Sequence, residues 1–152
     1  MRVLIQRVER ASVRVDGELI GSIAQGYLLL VGVQKGDGQP QLDASLSKLS
    51  KLRLFEDENG KTNLTLAQVG GSALVVSQFT LAASLKKGNR PSFDSAASPE
   101  TARSLYLGLI DGLKKQGIPV ESGRFGADMK VELVNDGPAT YSLEIPPDDT
   151  AL

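Results

Sequence analysis

Cysteine and histidine are both absent from the 152 residues of this chain. Without cysteine there is no disulfide framework and no thiolate nucleophile, and nothing points to an oxidising compartment. Without histidine, Ser-His-Asp and Cys-His arrangements are excluded, and ordinary zinc sites effectively so. Any catalysis must therefore move protons with carboxylates, lysine, hydroxyls, backbone, water or the substrate itself, and no metal or cofactor is expected. Tryptophan is missing too and aromatics make up only 5%, so the core must consist mostly of Leu, Val, Ile and Ala. The net charge of −1 rules out a broadly basic nucleic-acid binder but leaves room for a local basic patch. The longest apolar run, residues 27–33, contains Gly32 and falls far short of the ~20 residues that span a bilayer. Residues 1–8 carry Arg2 and Arg7 inside an apolar alternation, unlike a signal peptide. A cytoplasmic protein without a membrane partner is expected.

The length suits one domain with a core of its own. Short apolar or alternating runs at residues 2–8, 12–16, 18–23, 27–34 and 73–78 read as strands. Asp16-Gly17 marks a hairpin turn, since both residues take positive φ cheaply. Residues 40–53 switch to helical spacing through Leu42, Leu46, Leu49 and Leu52. A second helix starts at Ser98-Pro99-Glu100, with Ser98 as the cap and Pro99 in the first turn. Its stripe is Ala102, Leu105, Tyr106, Leu109 and Leu113, and Gly117 and Pro119 stop it. Residues 128–134 alternate, Asn135-Asp136-Gly137-Pro138 reads as a turn, and 139–145 are expected to pair back. Seven or eight strands joined by short turns, with two helices, predict a mainly antiparallel α+β domain. One domain over 1–145 is expected, with a disordered tail at 146–152.

Three stretches carry candidate chemistry. Ser77-Gln78-Phe79-Thr80-Leu81 puts three polar side chains at the end of a buried strand, where they can serve as hydrogen-bond donors to a carbonyl or oxyanion. Asn135-Asp136-Gly137-Pro138-Ala139-Thr140 is, from its letters, a turn. Lys86-Lys87-Gly88-Asn89-Arg90 is a cationic loop that can hold phosphate or simply face solvent.

Together, in this order and spacing, these segments resemble the D-aminoacyl-tRNA deacylase family. The stretches Ser77–Leu81 and Asn135–Thr140 match its two signature motifs. The start of the chain, Ala11-Ser12-Val13, Arg90-Pro91-Ser92-Phe93, Ala97-Ser98-Pro99 and Gly123-Arg124-Phe125 also fit, so the likeness runs from Met1 to about Ile145. Ala139 departs from it, a larger apolar residue being more usual there. The resemblance implies a homodimer of β-rich, barrel-like subunits with the two helices packed on the sheet and the active sites at the interface. It implies an enzyme that hydrolyses the ester between a D-amino acid, or glycine, and the 3′ end of tRNA, releasing both and sparing L-aminoacyl-tRNA, a proofreading step in translation. It further implies a cis Gly137-Pro138 bond reaching into the partner's site. On this basis Ser77, Gln78 and the backbone near Phe79 would bind the carbonyl and the 3′ adenosine. Thr80 would be a nucleophile or a positioning hydroxyl, with positioning favoured because no base stands out to activate it. Gly137 and Pro138 would act through main-chain atoms, Phe125 and Met129 would line the pocket, and Arg7 would brace the Gly-Pro loop. The neighbouring 2′-hydroxyl of the RNA would assist hydrolysis, which suits a chain without histidine or cysteine. Two other readings stand beside this one: a hydrolase of the same fold acting on another aminoacyl ester, and a non-catalytic RNA-binding dimer.

Overall fold

The computed structural model describes residues 1–147. Its spine is β1 (Arg2–Val15), 14 residues long, which joins the two runs read separately from the sequence. The turn at Asp16-Gly17 takes φ of 50° and 80° and returns the chain as β2 (Glu18–Ile23), antiparallel to Ala11–Val15. β3 (Gly26–Gly32) then pairs with Arg2–Val8, along the same edge of β1. The opposite edge is taken along its whole length by β8 (Lys130–Glu144). Beyond β3 the order continues through β6 (Ser72–Ser77) to β7 (Val120–Ser122), both joined in parallel. A Cβ placed on Gly21 would come within 2.9 Å of Ser122 O and 3.2 Å of Leu74 Cδ1. β2 therefore leans against β6 and β7, and the sheet curls towards a barrel.

Two apolar clusters follow from strand alternation. Val3, Ile5, Tyr27, Leu29, Val31, Ala73 and Val75 face the helices. Val8, Val13, Leu28, Leu74 and Val76 face the inside of the curl. β3 is apolar throughout because both of its faces are covered. Helix α1 (Gln39–Lys51) begins where Gly38 N donates to Gln41 Oε1 at 2.8 Å. Helix α2 (Pro99–Lys115) is capped by Ser98 Oγ, which accepts from Thr101 N at 3.3 Å. Both starts agree with the sequence reading. A small hairpin, β4 (Arg53–Glu56) and β5 (Thr62–Thr65), folds over the helix side, and its Phe55 stacks on Tyr27 at 5.2 Å.

Residues 139–145 do not pair back on 128–134. Both arms of β8 pair with β1, which is long enough to carry them, and the turn-like letters form a bulge within one strand. Asn135 faces Val8 and Thr140 faces Gln6, so residues 136–139 bulge out opposite Arg7. Of the tail, Pro146 O accepts from Gln41 Nε2 at 3.4 Å, and 148–152 lie outside the described residues. No helix among the described residues is long and apolar enough to cross a membrane.

Candidate active site

β6 ends at Ser77, opposite Val31 of β3. Gln78 N still bonds Val31 O at 2.7 Å, but with φ −145° and ψ 77° Gln78 leaves the sheet and opens a 3-10 turn over Phe79–Ala82. The turn is pressed against β3: a Cβ on Gly32 would lie 2.8 Å from Leu81 Cβ. Arg2 Nη1 holds it from the other side by donating to Leu81 O at 2.8 Å. Gln78 Nε2 donates to Thr80 Oγ1, tying two polar side chains of the motif together. Among the described residues no acceptor faces the backbone N–H of Phe79 or Thr80, as befits the first residues of a helical turn. Ser77 and Gln78 are half-buried, while Thr80 is exposed and Phe79 is 60% exposed.

Behind this turn lies a cavity of about 500 Å³. Ser77, Gln78 and Phe79 line it on one side, and Phe125 to Met129 on the other. Its walls are Val31, Val33, Val76, Ala96, Ala97, Ala102 and Tyr106, and Asp128 is the single carboxylate among the lining residues. Tyr106 donates its hydroxyl to Val75 O at 3.0 Å and sets its ring 5.7 Å from Phe125. Burial pushes that hydroxyl up to about 12. The result is a largely apolar chamber with polar groups confined to its mouth, the usual make-up of a small-molecule site.

Arg7, Gly137 and Pro138 form a second cluster. The Gly137-Pro138 bond is cis. Arg7 is buried, and donates from Nη1 to Leu54 O at 2.7 Å and from Nε to Asp136 O at 3.0 Å. Its Nε also stands 3.3 Å from the Asp136 carboxylate. Asn135 Nδ2 closes the bulge by donating to Arg7 O at 3.0 Å and Ala139 O at 3.1 Å. A Cβ on Gly137 would fall 2.4 Å from Asn135 Oδ1, so glycine is needed for this closure. Ala139 is buried, whereas residues 135–138 are exposed.

Six of the nine residues singled out from the sequence thus gather in one place: Ser77, Gln78, Phe79, Phe125 and Met129 on the cavity, with Thr80 bonded to Gln78. Arg7, Gly137 and Pro138 are not part of that cavity within one subunit. Arg7 is opposite Tyr27 and Ser77 is opposite Val31, with β8 one strand further out, which at ~3.3 Å per residue and ~4.8 Å per strand puts Ser77 roughly 16 Å from Arg7 and roughly 20 Å from the Gly-Pro bulge along the sheet. The apolar walls went unread in the sequence. Val31, Val33, Ala96 and Ala97 are ordinary core letters, and only the tertiary fold turns them towards Phe125.

The chain is similar to known proteins over nearly its whole length. The family profile described as D-Tyr-tRNA(Tyr) deacylase matches residues 4–144. A Shewanella amazonensis protein named D-aminoacyl-tRNA deacylase is 54% identical over 145 residues, covering 95% of this chain and 100% of its own. A Methylococcus capsulatus protein of the same name is 53% identical over 148 residues, covering 97% of each. Among solved structures, c-Myc DNA Unwinding Element Binding Protein superposes with a TM-score of 0.91 at 41% identity, over 96% of this chain and 99% of its own. A structure described as a probable eukaryotic D-amino acid tRNA deacylase gives a TM-score of 0.80 over 95% of this chain and 98% of its own, at 16% identity, a likeness of fold alone. With the profile spanning both motif segments, this chain belongs to the D-Tyr-tRNA(Tyr) deacylase family.

Proposed function

We propose that the mouth of the cavity at Ser77–Thr80 receives the 3′ end of an aminoacyl-tRNA and that the chain, a D-aminoacyl-tRNA deacylase, hydrolyses the ester there. The observation that carries this reading is the arrangement of the turn: unpaired N–H groups on Phe79 and Thr80 beside Ser77 and Gln78, at the edge of an apolar chamber. Attack of water on the ester carbonyl places negative charge on its oxygen, and fixed donors at that point lower the barrier. The ester needs no strong base to be cleaved if it is held in line with a water. The ribose 2′-hydroxyl next to the scissile bond places that water or carries its proton. Thr80 Oγ1 already accepts from Gln78, which suits a positioning hydroxyl better than a nucleophile.

Selectivity for hand requires a third constraint besides the carbonyl and the amino group. The exposed loop at Gly137-Pro138 lies far from its own Ser77, and a two-fold dimer would bring it to the partner's site. There its main-chain atoms hold the amino group and stand where an L side chain would go. Glycine has no side chain to meet that wall, so glycyl-tRNA is cleaved as well.

Deacylation measured side by side on D-aminoacyl-, L-aminoacyl- and glycyl-tRNA tests this directly. Cleavage of the D and glycyl esters with the L ester spared is expected. Preferential cleavage of an L ester would make the chain a hydrolase of another aminoacyl ester, and cleavage of none would leave an RNA-binding dimer.

A further inference from the structure

The cationic loop after the 3-10 turn takes no part in the site as described. Its stem is a short antiparallel bridge, with Ser84 N donating to Ser92 O at 2.8 Å and Ser92 N to Ser84 O at 2.9 Å. Gly88, at φ +65°, turns the tip. Lys86, Lys87 and Arg90 project from that tip, all exposed, and none of them joins an ion pair among the described residues. No acidic residue occurs between Glu58 and Asp94. A chain whose net charge is −1 therefore holds three unneutralised positive charges on one small arm. Self-repulsion makes that arrangement mildly unfavourable in the free protein, so it calls for an anionic partner. The foot of the arm is anchored beside the site. Phe93, at the foot of the loop, sets its ring 5.2 Å from that of Phe79, and Phe79 belongs to the site turn. Arg90 is three residues from Phe93 and so lies within about 10 Å of that foot even at full extension.

We propose that this arm grips the phosphate backbone of the tRNA acceptor end, with Lys86, Lys87 and Arg90 contacting phosphates next to the terminal nucleoside held at Ser77–Thr80. The inference rests on the aminoacyl-tRNA reading of that site and adds to it the element that tells a whole tRNA from a bare aminoacyl nucleoside. The contact is with phosphate, so it places the RNA without reading its sequence. It also makes the reaction on tRNA depend on salt, because each neutralised phosphate releases counterions.

The test compares the wild type with the K86A/K87A/R90A variant on D-aminoacyl-tRNA and on the matching 3′-D-aminoacyl-adenosine, which has no phosphate. On tRNA the variant should lose roughly tenfold or more in kcat/KM at about 0.1 M salt, through KM. Its plot of log(kcat/KM) against log salt should be shallower by about 2 to 3, from three contacts at 0.7–0.9 each. On the adenosine ester both proteins should agree within about twofold, since changes at exposed positions leave the fold intact. K86R/K87R should behave as wild type on both substrates. An unchanged KM and salt slope on tRNA would overturn the proposal, as would an equal loss on both substrates, which would mean that the loop only shapes the site. A wild type that cleaves neither substrate would remove the functional reading itself, and this inference with it.

Discussion

Arg7→Met isolates the hold that β1 has on the Gly-Pro bulge. Methionine keeps most of the aliphatic stem and loses every donor. In the wild type two of the guanidinium's bonds go to main-chain carbonyls, Leu54 O at 2.7 Å and Asp136 O at 3.0 Å. Leu54 is 9% exposed, so its carbonyl would be left without a partner in the interior, at a cost of about 1–3 kcal/mol. Asp136 can turn to water, so its lost bond costs only about 1 kcal/mol. The 3.3 Å ion pair with the Asp136 carboxylate, which is 49% exposed, adds no more than about 0.5 kcal/mol. Methionine has no charge to desolvate, which returns part of the sum. The net expectation is a loss of about 2–3 kcal/mol, read in urea as a midpoint lowered by roughly 1–2 M with m unchanged. Asp136→Asn should cost less than about 1 kcal/mol, because it leaves both carbonyl bonds in place. An Arg7→Met variant within about 0.5 kcal/mol of wild type would refute the reasoning. So would an Asp136→Asn variant as unstable as Arg7→Met, since the side-chain pair and not the carbonyls would then hold the bulge.

Thr80→Ala should retain much of the deacylation rate, and an acyl-enzyme trapped on Thr80 in rapid-quench experiments would reassign it as the nucleophile. Replacing the terminal ribose of the tRNA by its 2′-deoxy form should slow hydrolysis more than any single side-chain change. A normal rate on that substrate would mean that the protein supplies the base, and Asp128, the carboxylate lining the cavity, would be the first to replace. Sedimentation at micromolar concentration should give a dimer, and a fully active monomer would sever the Gly-Pro loop from selectivity. Tyr106 ionises near 12 in the folded chain against an ordinary value of 10.0, so its part in stability is whole below pH 10 and fades as pH rises towards 12. Tyr106→Phe should cost about 1 kcal/mol at neutral pH and lose less stability across that interval, as followed by urea titration at stepped pH. Equal losses in both proteins would count against the buried bond to Val75.

The elements whose burial is one-sided or complete were legible from sequence. The leucine spacing of α1, the Ser98-Pro99 start of α2 and the apolar run of β3 all reflect how much of each is covered. Partnership was not legible. Nothing in the letters of residues 72–77 says that β6 lies parallel to β3, because a strand covered on both faces has no pattern left to mark its neighbour. The segment 128–145 failed for a different reason. The bulge at 136–139 and the Asn135 that closes it use the same letters as a hairpin turn, and only the length of β1 decides between them. At the site, the polar residues at the end of β6 stood out because polar letters break an apolar run. Tyr106 and Val33 did not, since their role on the cavity wall comes from distant elements meeting.

The pairing of β8 with β1 also sets an order of events during synthesis. Arg2 waits for Glu144, and Val8 for Asn135, so one edge of the central strand stays open until nearly all of the chain has left the ribosome. β2 and β3 can join the other edge early, since they follow β1 within a few residues. Closing a loop of more than a hundred residues is slow, and until then one edge of a 14-residue strand stays open to other chains. The Arg7 contacts with the bulge form in that same last step. A nascent chain stalled short of residue 130 would therefore be insoluble before it was inactive, and pulse-labelled truncations ending on either side of β8 should divide sharply between pellet and supernatant.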